Sequence, residues 1–140
     1  MSQKPDCIFC KIIAGDIQTS SKVYEDESVF TFLSNGPVSP GHALIVPKKH
    51  FENVYDADND TLAALGKAFK KVATAVKKAV QADGINIITN NDRAAGQVVF
   101  HLHFHVIPRF FGDGFKHWEH TKDYAKGEIE LYAEKIRKAL

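Results

Sequence analysis

Histidines alternate with apolar residues in the segment 97–108, and this alternation limits what the chain can fold into more than any other feature. Successive side chains of a β-strand point to opposite faces. The pattern therefore predicts a strand in which His101, His103 and His105 share one face, while the apolar residues between them pack on a core. A single strand histidine is usually a half-buried polar residue, but three in strict alternation indicate a functional face.

A row of imidazoles can carry several kinds of chemistry near neutral pH: nucleophilic attack, proton transfer or metal binding. The first and last rings of such a row lie about 13 Å apart on a regular strand. Because zinc–nitrogen bonds are about 2.0–2.1 Å long, one ion cannot bind all three rings on a straight strand. One or two of these histidines remain candidates for a metal site.

The composition of the chain limits its class. With 140 residues, 44% of them hydrophobic and 25% charged, the chain suits one globular domain spanning residues 1–140. The formal net charge of +1 provides no strong attraction to nucleic acid or an anionic membrane. No apolar run approaches the roughly 20 residues of a membrane span, and the N-terminal residues are polar. We therefore expect a cytoplasmic protein without a nucleic-acid or membrane partner.

The two cysteines of the chain, Cys7 and Cys10, are separated by two residues. A structural disulfide is not expected in a protein without a secretory signal. A redox pair is possible, but such pairs usually follow the strand of a βαβ unit, and none precedes this one. Two cysteines at this spacing also supply half of a zinc site, which is the interpretation we prefer. Two further ligands would have to come from elsewhere in the chain.

The remaining pattern predicts an α+β domain. Consecutive strands joined by short turns favour an antiparallel sheet, which helices would cover on one face and leave open on the histidine face. A long helix should be capped by Asp60 or Thr61, and its lysines should form a solvated face. The predicted elements are a helix at 7–14 ended by Gly15, strands at 22–25, 28–33, 42–47 and 85–89, the long helix at 60–81, a turn at 90–96 and a helix at 123–138.

Several separated motifs resemble the histidine triad (HIT) family. The segment His101–Ile107 resembles its signature, in which three histidines alternate with apolar residues. Cys7–Ile13 is similar to the family's N-terminal segment, and 40–50 to its second signature. Asn90 and Ala95–Gln97 match phosphate-side residues, so the resemblance covers roughly residues 6–115, in the right order. The Hint-like branch, with its bacterial members, is the nearest.

This resemblance implies a HIT-like fold: an antiparallel sheet of about five strands with a long helix and a C-terminal helix. It also implies a homodimer whose paired sheets form one continuous layer with two nucleotide sites. The implied reaction is cleavage of purine nucleotide conjugates, such as adenosine 5′-phosphoramidate, through a covalent nucleotidyl-histidine that releases AMP. The purine preference comes from the family alone.

The histidines receive roles from the residues and from the resemblance together. His103, flanked on both sides by similar groups, is the predicted nucleophile, and the family pattern agrees. His105 would orient the site or hold a transferring proton, and His42 would fix a tautomer by hydrogen bonding. His101 completes the triad. These four form the predicted catalytic set.

The resemblance assigns nucleotide binding to two groups of residues in this chain. Asn90, Gln97 and backbone N–H groups near Gly96 would face the phosphate, and glycine would permit a close approach. Val98 stands where Hint-type relatives often have Ser or Thr, so only its N–H is available. The base and ribose pocket would be lined by Phe9, Ile12, Ile17, Phe32, Ser34 and Asn35.

The residues of that pocket have alternative interpretations. Ser34 stands where many relatives carry an Asp that binds ribose hydroxyls, and Asn35 could substitute for it. The apolar members could equally be ordinary core residues. Because of the departures at Ser34 and Val98, a nucleotide- or zinc-binding protein with little catalysis remains an alternative. Among enzymes, the alternative is a diadenosine polyphosphate hydrolase.

The resemblance also suggests how the cysteines are completed. His50 and His101 would join Cys7 and Cys10 in a structural Cys₂His₂ zinc site that takes no part in the chemistry. The alternative is that the cysteines are small core residues and His50 an ordinary surface histidine.

The segment 112–120 is predicted to be a mobile loop. Trp118 could reach a substrate's leaving group, or it could be a surface or dimer-packing aromatic residue. His117 and His120 are expected to be bystanders.

Overall fold

The structure is a computed structural model that describes residues 3–118 and 122–140. Five strands form one antiparallel sheet in the order β1-β2-β3-β5-β4. This confirms the predicted α+β class with its antiparallel sheet. The elements are α1 (Ile8–Ala14), β1 (Lys22–Glu25), β2 (Val29–Leu33), β3 (Ala43–Pro47), α2 (Asn59–Ala79), β4 (Gly84–Ile88), β5 (Phe104–Arg109) and α3 (Glu128–Ala139).

Helix α2 covers one face of the sheet. Its apolar stripe, which includes Leu65 and Val72, packs with Ile45 of β3 and Val106 of β5 in one buried cluster. Burial of such a stripe is the main source of stability for an amphipathic helix. The five lysines of the helix lie on its exposed side, as predicted: Lys67, Lys70, Lys71, Lys77 and Lys78.

The ends of α2 differ from the prediction. Asp58, not Asp60 or Thr61, caps the helix, because its side chain accepts a hydrogen bond from the Thr61 N–H at 2.8 Å. The helix also ends at Ala79, two residues early, and the following Gln81 adopts a left-handed backbone with φ 53°.

The opposite face of the sheet is partly covered by α1, which corrects the expectation that helices lie on one face only. Phe9 of α1 packs with Phe30 and Phe32 of β2 and with Leu44 and Val46 of β3. These strand residues alternate with those that face α2, as the two-residue period of a strand requires. The candidate site therefore lies between α1 and the sheet, not on an open face.

The histidine segment is strand only in its second half. β5 begins at Phe104, so His101 and His103 precede it and only His105 lies in the strand. The cause is a different backbone partner: the Leu102 N–H donates to the carbonyl of Phe51 at 2.7 Å instead of joining the sheet. The predicted division between apolar and histidine faces nevertheless holds, because Leu102 is buried in the α2 cluster.

His105 lies on an interior strand of the sheet, paired with Leu44 of β3 and Ile88 of β4. The C-terminal helix α3 begins at Glu128, five residues later than predicted, and buries none of its side chains against the described part of the chain. Within residues 3–118 and 122–140, no helix combines the length and the apolarity needed to cross a membrane.

Candidate active site and metal cluster

A hydrogen-bonded pair of histidines lies at the centre of the site. The Val38 N–H donates to Nδ1 of His42 at 3.1 Å, so the proton of a neutral His42 is on Nε2. That Nε2 lies 2.9 Å from Nδ1 of His105 and donates to it. Nδ1 of His105 is therefore an acceptor, and its own proton is on Nε2. The hydrogen bond from His42 thus selects the tautomer of His105.

His103 has the opposite tautomer. Its Nδ1 lies 2.7 Å from the carbonyl oxygen of His101 and must donate to it, because a carbonyl only accepts. The Nε2 of neutral His103 therefore carries a lone pair. The ring packs against that of His105 with centroids 5.1 Å apart. Its backbone carbonyl accepts a hydrogen bond from the Thr89 hydroxyl at 2.9 Å, just beyond the end of the β4–β5 ladder.

Burial keeps these imidazoles neutral. Removal from water disfavours the charged form and lowers the pKa of His42 and His103 below the ordinary value of 6.5. It lowers the pKa of His105 to about 4, with smaller contributions from the neighbouring His103 and His42. At neutral pH the site therefore presents one Nε2 lone pair, on His103, beside one Nε2–H donor, on His105. This is the arrangement that nucleophilic attack on an electrophilic centre and stabilisation of a developing charge require.

A second group of side chains forms the Cys/His cluster: Cys7, Cys10, His50 and His101. Their potential ligand atoms all lie within 4.8 Å of one another. The two Nδ1 atoms are 3.1 Å apart, and the nitrogen–sulfur distances include 3.4 Å from His101 to Cys7 and 3.4 Å from His50 to Cys10. A tetrahedral zinc site with bonds of about 2.0–2.1 Å to nitrogen and 2.3 Å to sulfur has edges of about 3.3–3.6 Å between such atoms.

The chemistry of these four groups also fits a metal. The His101 Nε2–H donates to the carbonyl of Pro47 at 2.8 Å, so the Nδ1 lone pair faces the thiols. Main-chain N–H groups of Lys4 and Cys10 point at the sulfurs of Cys10 and Cys7, at 3.4 and 3.5 Å. Burial raises the pKa of the Cys10 thiol, so its thiolate needs a positive partner.

His101 was predicted as both a catalytic residue and a metal ligand, and its ring and its main chain have different partners. Its ring belongs to the Cys/His cluster and is fully buried. Its main-chain carbonyl reaches the site through the hydrogen bond from His103, and its ring contacts that of Phe9 with centroids 5.9 Å apart.

The predicted base-pocket residues are brought together only in part. Phe9 lies with its ring nearly perpendicular to that of His103, with centroids 5.2 Å apart, and it also contacts Phe32. Ile12 packs on the same apolar cluster. Ile17 is more exposed, and Ser34 uses its N–H on the carbonyl of His42. Asn35 is exposed.

The predicted phosphate-side residues lie on the turn before the triad. Gly96 has φ +90°, and a Cβ there would lie 3.6 Å from Nδ2 of Asn90, so the two are neighbours. Gln97 is buried, with Nε2 donating to the carbonyls of Glu52 and Val99 and Oε1 accepting from the Asp92 N–H. Its amide is therefore occupied by the protein, whereas the side chain of Val98 is 85% exposed.

The sequence did not predict several hydrogen-bonding groups of the site: the carbonyls of Pro47 and His101, the Val38 N–H and the Thr89 hydroxyl. Hydrogen bonds between segments that are distant in the chain leave no local sequence pattern.

In the loop after β5, Trp118 is 90% exposed and His117 is exposed too. His120, predicted to be a bystander, lies outside the described residues.

Comparison with known proteins gives one consistent family. The model of the HIT domain matches residues 16–112, which is more than half of the chain. The chain is 45% identical to the "Protein hit" of Bacillus subtilis over 138 residues, which is 96% of this chain and 94% of that protein.

Two further relatives have activities in their names. The chain is 37% identical to the adenosine 5′-monophosphoramidase HNT1 of Candida albicans over 113 residues, covering 78% of this chain and 74% of that protein. It is 41% identical to the adenylylsulfatase HINT3 of Arabidopsis thaliana over 104 residues, covering 74% of this chain and 52% of that protein.

Solved structures agree with the fold. A protein from Streptococcus mutans superposes with a TM-score of 0.92 at 44% identity, covering 98% of this chain and 87% of that chain. A zinc-bound histidine triad family protein from Mycobacterium smegmatis superposes with a TM-score of 0.74 at 33% identity, covering 96% of this chain and 98% of that chain.

Proposed function

Since the chain belongs to the HIT family, as its motifs predicted, we propose that it hydrolyses or transfers purine nucleotide conjugates by attack of His103 on the α-phosphorus. At the family level the named relatives support a nucleotide hydrolase. One observation carries the assignment of the nucleophile: the Nδ1–H of His103 is held by the carbonyl of His101 at 2.7 Å, which leaves Nε2 as a free lone pair. Adenosine 5′-phosphoramidate is the proposed type of substrate.

The proposed reaction has two steps. Nε2 of His103 forms a bond to the α-phosphorus while the phosphorus–nitrogen bond to the leaving amine breaks, and the amine departs with the proton of the His105 Nε2–H. Water then attacks the phosphorus of the nucleotidyl-histidine and breaks the bond to Nε2 of His103. AMP is released, His103 regains its lone pair, and a proton of the water restores the Nε2–H of His105.

Recognition of the nucleotide is proposed from the same surroundings. The turn at Asn90 and Gly96, together with the N–H of Val98, would face the phosphate. The apolar pocket would be formed by Phe9, Ile12, Ile17 and Phe32, with Ser34 and Asn35 near the ribose. The close contact of Phe9 with His103 supports a base or ribose near this ring.

Zinc is the metal that we propose for the Cys/His cluster, which the donor set and the interatomic distances support. When bound, it would supply a structural cross-link between the start of α1, the segment after β3 and the segment before β5. The chemistry at phosphorus would remain with His103 and His105. A similar zinc-bound family protein supports this metal.

A homodimer is the proposed assembly. Strand β4 lies at the edge of the sheet, and Ile87 on it is 42% exposed. An edge strand can pair with the same strand of a second copy and continue the sheet. Light scattering should then give twice the chain mass. A cytoplasmic location and the absence of nucleic-acid and membrane partners stay predictions.

The function is tested by measuring AMP release from adenosine 5′-phosphoramidate. We expect turnover by the wild type and a loss of about three orders of magnitude or more in His103→Ala. His117→Ala, at an exposed histidine in the loop after β5, is the matched control and should retain activity. AMP binding by His103→Ala shows that the fold and the pocket persist.

The same assay separates the alternatives. Faster AMP release from diadenosine polyphosphates would favour that branch of the family, and adenylyl sulfate tests the activity named for the Arabidopsis relative. Binding of AMP without turnover of any conjugate would contradict the enzyme and indicate a nucleotide-binding protein. Equal turnover in wild type and His103→Ala would show that the nucleophile is a different residue.

A further inference from the structure

We propose that Phe9 is a positioning residue for His103, and that metal bound to the Cys/His cluster controls this contact by holding helix α1 in place. The kinetic part rests on the proposed function. The structural part does not, because it concerns the position of one ring relative to another. The observation behind the proposal is that one short helix carries two metal ligands and the aromatic ring that packs on the nucleophile.

The ring of His103 packs against two other aromatic rings. It lies between those of Phe9, at 5.2 Å and 85°, and His105, at 5.1 Å and 68°. The hydrogen bond from Nδ1 to the His101 carbonyl fixes one atom of the ring. Rotation about that anchor would still change where Nε2 points, and the perpendicular ring of Phe9 restricts this rotation.

Phe9 is held in place by the short helix α1. Helix α1 has seven residues, and an isolated helix of this length is not stable in water. Cys7 is its N-cap, and Cys10 follows Phe9 directly, so both thiols lie within two residues of the ring. Phe9 and Cys10 are the two buried residues of this helix. A metal bound by the thiols would therefore fix the part of α1 that carries Phe9.

The thiols and the His101 ring of the Cys/His cluster are anchored differently. His101 has a tether that does not depend on metal, because its Nε2–H donates to the Pro47 carbonyl. Among the described residues, the thiols of Cys7 and Cys10 accept main-chain N–H groups only from their own N-terminal segment, and their partners outside that segment are His101 and His50 themselves. Loss of the metal should therefore displace α1 more than His101. His103 would keep its hydrogen bond but lose the ring that restricts its orientation.

Phe9→Leu tests the contact, because it keeps an apolar side chain and removes the ring. The matched control is Phe30→Leu, the same substitution in the same apolar cluster, at a ring that packs on Phe32. We expect kcat to fall about 10- to 100-fold in Phe9→Leu and to change less than about twofold in Phe30→Leu. If Phe9 only lined the nucleotide pocket, KM would rise and kcat would be unchanged, which would overturn the proposal.

A spectroscopic measurement tests the role of the metal without turnover. The ring ¹⁵N and ¹H resonances of His103 are recorded in the zinc-loaded and chelated wild type, and in the zinc-loaded variants. We expect the His103 signals of Phe9→Leu to shift toward those of the chelated wild type, and those of Phe30→Leu to match the loaded wild type. Chelation should then have a smaller effect on His103 in Phe9→Leu, because the two changes act through one contact.

The possible results are distinguishable. If chelation shifts His103 equally in wild type and Phe9→Leu, the coupling runs through His101 and the proposal is wrong. A chain that binds no zinc when titrated with it would also overturn the metal part. If chelation unfolds the protein, the loaded variants alone decide whether Phe9 positions the ring. If the resonances behave as expected but no conjugate is hydrolysed, the proposed function fails while the coupling stands.

Discussion

Nε2 of His42 donates a hydrogen bond to Nδ1 of His105 over 2.9 Å, and this bond places the proton of neutral His105 on Nε2. The chain of donors begins at the Val38 N–H and ends at the Nε2–H of His105. Neutral His105 could otherwise exchange between two tautomers, and only one of them is a donor at Nε2.

Removal of His42 should therefore lower activity without removing the nucleophile. We expect His42→Ala to reduce kcat about 10- to 100-fold, because His105 then spends part of its time in the wrong tautomer. Steady-state kinetics measure this, and His117→Ala is the control. Unchanged kcat in His42→Ala would show that His105 does not need this orientation.

Stability should fall as the pH is lowered. The ordinary pKa of histidine, 6.5, applies to the unfolded chain, whereas burial lowers the pKa of folded His105 to about 4. Between these values the unfolded state binds the additional proton, so this contribution to the free energy of unfolding is complete above pH 6.5 and declines toward pH 4. His42 and His103 act in the same direction, since burial lowers the pKa of each.

Urea denaturation at pH 7 and pH 5 measures this effect. His105→Asn should show a smaller difference in the free energy of unfolding between the two pH values than the wild type. His117→Ala should show the wild-type difference. If the free energy of unfolding changed equally between pH 7 and pH 5 in His105→Asn and in the wild type, burial of His105 would not be the source of the pH dependence.

Metal removal should destabilise the chain. If zinc binds the native Cys/His cluster at a free concentration about 1,000-fold above its Kd, it adds about 4 kcal/mol to the free energy of unfolding. Metal analysis should find one zinc per chain in the wild type and less in Cys10→Ser, and chelation should lower the melting temperature of the wild type alone. A melting temperature that chelator leaves unchanged in the wild type would argue against the site.

Gln97 is expected to act as a brace for the turn before the triad. Gln97→Ala leaves the Asp92 N–H and the carbonyls of Glu52 and Val99 without this partner. Such a loss typically costs about 1–3 kcal/mol, which urea denaturation can measure. If Gln97 were instead a phosphate donor, the variant would keep its stability and lose affinity for AMP.

The alternation of histidine and apolar residues predicted the division of faces around β5, and the structure confirms it for Leu102 and His103. It did not predict that the strand begins only at Phe104, because the partner of the Leu102 N–H is Phe51, about 50 residues away in the chain. Local pattern identifies which side chains share a face. It contains no information about which distant carbonyl an N–H will meet.

The same limit applies to the N-cap of α2 and to the site. Asp58 and Asp60 are both good caps by residue type, and only the geometry of the preceding loop selects Asp58. The candidate ligands Cys7, Cys10, His50 and His101 were named from motifs, and the structure brings them together. The Thr89 hydroxyl was not named, since nothing in its own neighbourhood distinguishes it from a surface threonine.

His101 and His103 are the same amino acid two positions apart, yet the lone pair is on Nδ1 in the first ring and on Nε2 in the second. The Pro47 carbonyl takes the Nε2–H of the first ring, and the His101 carbonyl takes the Nδ1–H of the second. One imidazole thereby becomes a candidate metal ligand and the other a candidate nucleophile. Because both acceptors belong to the main chain, no side-chain exchange can swap these identities. A backbone shift, such as a one-residue deletion between Gln97 and His101, would change both at once.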